Sequence, residues 1–112
     1  MKVKKVLSGI ANTIASNVVI GYSFECPGCG HSHLIYTDGR FSNGVAWDFN
    51  GDQDRPTFQP SLLTWIDEPP KAAFRCHSFI RDGNIQFLAD CSHPLANQTV
   101  PLPEIEINHE QN

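Results

Sequence analysis

The stretch Phe74-Arg75-Cys76-His77-Ser78-Phe79-Ile80-Arg81-Asp82-Gly83-Asn84-Ile85-Gln86-Phe87-Leu88-Ala89-Asp90-Cys91 decides the fold. Two runs of alternating apolar and polar residues flank Asp82-Gly83, a dipeptide that readily takes the two left-handed conformations of a type I′ hairpin turn. The turn fixes the register. Arg81 then faces Asn84, Ile80 faces Ile85, His77 faces Leu88, Cys76 faces Ala89, Arg75 faces Asp90 and Phe74 faces Cys91. Successive side chains leave a strand on opposite faces, so Cys76 and Cys91 share one face as diagonal neighbours about 7 Å apart, while His77 and Asp90 share the other.

Outward from this hairpin, strand signals dominate. Val18, Ile20, Tyr22 and Phe24 alternate with Val19, Gly21, Ser23 and Glu25 and lead into Cys26-Pro27-Gly28-Cys29-Gly30. Further β-rich pieces are Leu34-Ile35-Tyr36, Val45 to Phe49, Leu62 to Ile66, Ala73 to Ile80 and Ile85 to Ala89, each bounded by Gly, Pro, Asn or Asp. Short strands with frequent turns predict a mostly β, small antiparallel sheet domain. Ser8 to Asn17 is open between helix, strand and loop, because Gly9, Asn12, Thr13 and Asn17 weaken a helix there. Trp47, Phe49, Phe58 and Trp65 read as the core that covers the hairpin's inner face.

With 112 residues the chain has room for one domain, 1–112, with an N-terminal segment 1–17 and an acidic tail 104–112 expected to fray. A domain this short buries only about two-thirds of its unfolded surface, so a staple would help. The formal charge of −4 lacks the cationic footprint of a phosphate-backbone binder, which argues against general nucleic-acid binding. No apolar run approaches the roughly 20 residues that span a bilayer, and Ser8, Gly9, Asn12 and Thr13 interrupt any signal-peptide core. The expected location is the cytoplasm.

In a reducing compartment four cysteines point to a metal before they point to disulfides. Cys26 and Cys29 stand in a CPxCG turn, where Pro fixes the entry and the glycines let backbone amides approach the sulfurs. A CPxCG zinc knuckle placed over the Cys-bearing β-hairpin would let Cys26, Cys29, Cys76 and Cys91 close a tetrahedral Zn²⁺ site, with His93 as a substitute ligand. Such a closed site is structural, because no position remains for water. His31 and His33, following the turn, read as solvated or as standing around the ligands, with a ligand role for either as the lesser alternative.

On the other face, Asp90 beside His77 would fix the imidazole tautomer and raise its basicity, as a general base requires. The plainer reading is that Asp90 pairs with Arg75, directly opposite it. Ser61, just after Pro60 at a strand start, could be presented as a nucleophile, or could merely satisfy a turn amide.

The succession FECPGCG, WDFNGDQDRPTFQPSLL and CHSFIRDGNIQFLADCSHPLANQTVPLP resembles a family of small phage-encoded zinc-binding proteins often labelled ammonia monooxygenase, a label that the absence of copper ligands and membrane segments does not support. More distantly the chain is similar to a metal-binding peptidase domain encoded beside bacterial ubiquitin-like conjugation genes. The matching positions are Cys26 with Cys29, Pro60-Ser61-Leu62, Cys76-His77-Ser78-Phe79 and Gly83; here the histidine directly follows Cys76 instead of coming after the serine. The first resemblance implies a zinc-stabilised protein-interaction module directed at a host or defence protein. The second implies a hydrolase of the peptidase class, with Ser61 as nucleophile, His77 as base and Asp90 orienting it.

Overall fold

In the computed structural model the residues described are 1–8, 18–66 and 74–105. The strands in chain order are β1 (Lys4–Leu7), β2 (Val19–Glu25), β3 (Ser32–Tyr36), β4 (Asp48–Phe49), β5 (Phe58–Ile66), β6 (Phe74–Arg81), β7 (Asn84–Phe87) and β8 (Thr99–Pro101), with a single 3-10 turn at Gly39–Phe41. They form two antiparallel sheets, β1-β2-β3 and β4-β5-β6-β7-β8. The mostly β architecture is the one the alternating pattern predicts. None of the described helical residues makes a helix long and apolar enough to cross a membrane.

The hairpin obeys its turn for half its length. Asp82 and Gly83 both have positive φ, 51° and 81°, and the pairs from Arg81 with Asn84 to Ser78 with Phe87 are those the turn dictates. Leu88 continues the ladder, its amide donating to the His77 carbonyl at 2.9 Å. Beyond it the predicted register fails. The chain turns back at Cys91, whose amide donates to the Leu88 carbonyl, and Ser92 rather than Asp90 meets the Arg75 backbone. This turn swings Asp90 and the Cys91 sulfur in beside His77.

The core lies between the two sheets. Val3, Phe24 and Ile35 meet Phe58, Leu62, Ile80, Ile85, Phe87 and Leu102, and the Tyr22 ring packs 4.4 Å from that of Phe49. Phe58 is buried, and Trp47 and Phe49 pack at the core's margin, as expected. Trp65 is not core: it is 62% exposed, because it and Leu63 lie on the outward face of β5 while Leu62 points inward.

Strand β5 also differs from expectation at its start. It runs through Pro60 instead of beginning after it, and the register slips between Phe58, opposite Ile80, and Leu62, opposite Ser78. Gln59, Pro60 and Ser61 thus bulge against Phe79, with a cis peptide before Pro60. Strands β1 and β8 were not foreseen. The start of the tail is held, since the Ile105 amide donates to the Met1 carbonyl at 2.8 Å. Most of the open segment Ser8 to Asn17, and the tail from residue 106, lie outside the described residues.

Candidate functional site

A bulge bends a strand and re-aims its side chains, often beside an active site. The bulge in β5 aims Ser61 across the outward face toward β6, where its hydroxyl stands 3.1 Å from His77 Nε2. On the far side of the ring, His77 Nδ1 is 3.3 Å from Asp90 Oδ2. With Nδ1–H donating to the carboxylate, Nε2 is left to accept the Ser61 proton. Both contacts foreseen for Asp90 are present, because Arg75 Nη1 lies 3.8 Å from the same carboxylate oxygen. The Trp47 indole N–H pins the bulge from outside by donating to the Ser61 carbonyl at 3.2 Å.

Under the same sheet lies the thiol centre. Cys76 precedes His77 on β6 and therefore points to the opposite, buried face. Its sulfur is 3.9 Å from that of Cys26, close to the roughly 3.8 Å that two thiolates reach at tetrahedral angles on one zinc. Cys26, Cys29, His33 and Cys76 bring their ligand atoms within 4.8 Å of one another, and Cys76, Cys91 and His93 form a second such group. The four sulfurs expected to converge on one ion are thus divided between two groups that share Cys76.

The remaining contacts assign roles within these groups. His33 is 7% exposed and places Nε2 3.3 Å from the Cys29 sulfur. His93 is equally buried, but its Nδ1 accepts from the Leu95 amide, so in the neutral ring Nε2 carries the proton and donates to the Cys76 sulfur at 3.5 Å. In this arrangement His93 supports the Cys76 sulfur, while its place in the second group keeps it a candidate ligand. Its ring fills the space over Gly28, where a Cβ would stand 2.2 Å from Cε1. The Cys91 sulfur accepts from the His77 amide at 3.3 Å and donates to the His77 carbonyl at 3.2 Å, clasping the His77 backbone.

Without a cation the thiols share protons unevenly. Cys26 is pushed down to about 3, chiefly by the hydrogen bond it receives from Cys76. That bond holds the proton on Cys76, whose thiol is pushed far above its ordinary range, with burial adding to the effect. Burial pushes Cys29 up to about 11. Clustered sulfurs of this kind, all free of disulfides, form the donor set a thiophilic dication neutralises.

The family model described as the bacterial ubiquitination-like system serine protease, BubE, matches residues 7–88. The chain belongs to this family. The BubE match covers Ser61 and His77 on the upper face and Cys26, Cys29, His33 and Cys76 below, and it ends before Asp90, Cys91 and His93. Of the two resemblances read from the sequence, the one to a peptidase domain of ubiquitin-like systems is the one it supports. No curated protein and no solved structure matches the chain.

His33 is the residue whose ligand role the sequence reading left as the lesser alternative. The signal was the knuckle itself: β2 and β3 pair Glu25 with Ser32 and Phe24 with His33, so the turn is a hairpin and the residue opposite buried Phe24 faces inward.

Proposed function

We propose that this BubE-family chain is a serine peptidase that cleaves a protein of a ubiquitination-like system, with Ser61 as nucleophile, His77 as general base and Asp90 as the carboxylate that orients it. The observation that carries this reading is the unbroken line from the Ser61 hydroxyl through both ring nitrogens of His77 to Asp90, at 3.1 Å and 3.3 Å. Ser61 Oγ attacks the scissile carbonyl as His77 Nε2 takes its proton, and Asp90 stabilises the imidazolium. His77 then gives that proton to the departing amine, leaving an acyl ester on Ser61. Water, losing its proton to His77, attacks the ester, and Ser61 recovers the proton as the acid product departs.

Cys26, Cys29, Cys76 and His33 would hold one Zn²⁺, whose contribution is structural: four protein ligands leave no position for water. With a zinc joining the knuckle to β6, the strand carrying His77 is held from below. The protein partner inferred from the sequence is then the substrate, met in the cytoplasm where such thiols stay reduced. Incubating the metal-loaded chain with a fluorophosphonate tests the assignment. One adduct on wild type and none on Ser61→Ala is the expected result. No adduct on wild type, or an adduct that survives the substitution, would contradict it and leave binding without cleavage as the function.

A further inference from the structure

Resting on the serine-peptidase reading, we infer that the substrate presents an extended, unpaired segment, which docks as an added strand on the outer edge of β5 at Leu63 and Trp65. The direction of the backbone groups is fixed by β6. The amide and carbonyl of His77 are both engaged on the β7 side, by Cys91 Sγ and the Leu88 amide, and those of Arg75 are both engaged there by Ser92. In an antiparallel ladder a residue whose groups point away from its neighbour belongs to a non-hydrogen-bonded pair. Leu63, opposite His77, and Trp65, opposite Arg75, therefore turn their own N–H and C=O groups away from β6, toward the edge.

Among the described residues nothing pairs with that edge. Strand β4 covers β5 only at Phe58 and Gln59. Between the two, the Trp47 indole occupies the Ser61 carbonyl. The free ladder positions thus end at the nucleophile. Leu63 and Trp65 are 45% and 62% exposed and lie on the Ser61 side of the sheet, giving apolar contact to every second side chain of a paired segment. Past Ser61 the edge is blocked by β4, and the departing part of the substrate meets a cavity of about 370 Å³ lined by Asp48, Gln59, Pro60, Phe79 and Arg81. Only an extended backbone supplies alternating donors and acceptors to such an edge; a helix or a folded surface does not.

The experiment uses wild-type, metal-loaded chain and a quenched-fluorescent library of unstructured nonapeptides. A cleaved member is resynthesised with each backbone amide N-methylated in turn. N-methylation at alternate residues on one side of the scissile bond is expected to lower kcat/KM by about tenfold, and at the residues between them by much less, matching the loss of one ladder hydrogen bond. Leu63→Pro, which removes one outward N–H and no bond to β6, should lower peptide cleavage below Leu63→Ala, with thermal melting reporting whether each variant folds. An N-methyl profile without alternation, or no library member cleaved by a chain whose Ser61 takes the fluorophosphonate, overturns the inference while sparing the peptidase reading. A concentration-dependent dimer abolished by Leu63→Pro, with cleavage unchanged, assigns the edge to a second copy and overturns it too. Failure of wild-type Ser61 to take the fluorophosphonate overturns the reading beneath it.

Discussion

Cys76 and His77 are adjacent in the chain and face opposite sides of one strand, and most of the site's logic sits in that pair. In the fluorophosphonate assay His77→Ala should slow Ser61 labelling by about 10²- to 10⁴-fold, the usual worth of a positioned base, and an unchanged rate would remove His77 from the mechanism. Cys91→Ser separates the two arrangements of sulfurs. If Cys91 clasps the His77 backbone, the variant keeps its metal by elemental analysis and labels more slowly; if four thiolates hold the ion, it loses the metal. His93→Ala should weaken metal binding by about 10- to 100-fold with the stoichiometry unchanged, as loss of a donor to a ligand sulfur does. Burial and the shared hydrogen bonds hold Cys29 and Cys76 above the ordinary thiol range, so binding a metal as thiolates should release protons. Calorimetry in buffers of different ionisation enthalpy reads that release, and buffer-independent heats would contradict it. Ser61, His77 and Asp90 were all named as candidates, but for different reasons: the two-residue turn projects a register as far as His77 and Leu88, Ser61 stood out by its place after Pro60, and Asp90 reaches His77 through the turn at Cys91 that the projected register did not contain. His33 was ranked low as a ligand because it read as loop, whereas the turn is a hairpin that faces it inward opposite Phe24. Trp65 was misjudged because an aromatic alternation does not say which face is buried when the outer face carries the site.

At the scale of elements, alternation made β2, β3 and β5 to β7 readable, and the hairpin between β6 and β7 carries the clearest energetics. Ile85 is fully buried, so Ile85→Ala should cost about 2–5 kcal/mol in denaturant melts, whereas a cost below 1 kcal/mol, roughly that of a surface change, would mean β7 does not pack as described. Strands β1 and β8 were invisible because short segments take their conformation from the neighbours they pair with, not from their own pattern. The bulge in β5 was hidden for a related reason. Pro60 reads as a strand terminus, yet in a bulge past the end of β4 the missing N–H is tolerated, and the strand continues with Ser61 displaced toward His77.

Over the whole molecule, two sheets of short strands enclose a core of modest size, and the thiol centre lies where the knuckle of one sheet meets β6 of the other. Chain length alone suggested that a staple would help; which side chains gather at the candidate centre depended on how the sheets pack, which no local pattern states. A metal in that position would tie the first sheet to the strand that carries His77, so the fold and the proposed reactivity of Ser61 should depend on it together. The decisive measurement is the rate of Ser61 labelling by fluorophosphonate, with circular dichroism on the same sample, before metal removal, after it, and after one equivalent of Zn²⁺ is restored. Labelling and folded structure should be lost together on stripping and regained together with zinc. A metal-free chain that stays folded and labels Ser61 at the original rate would contradict the account.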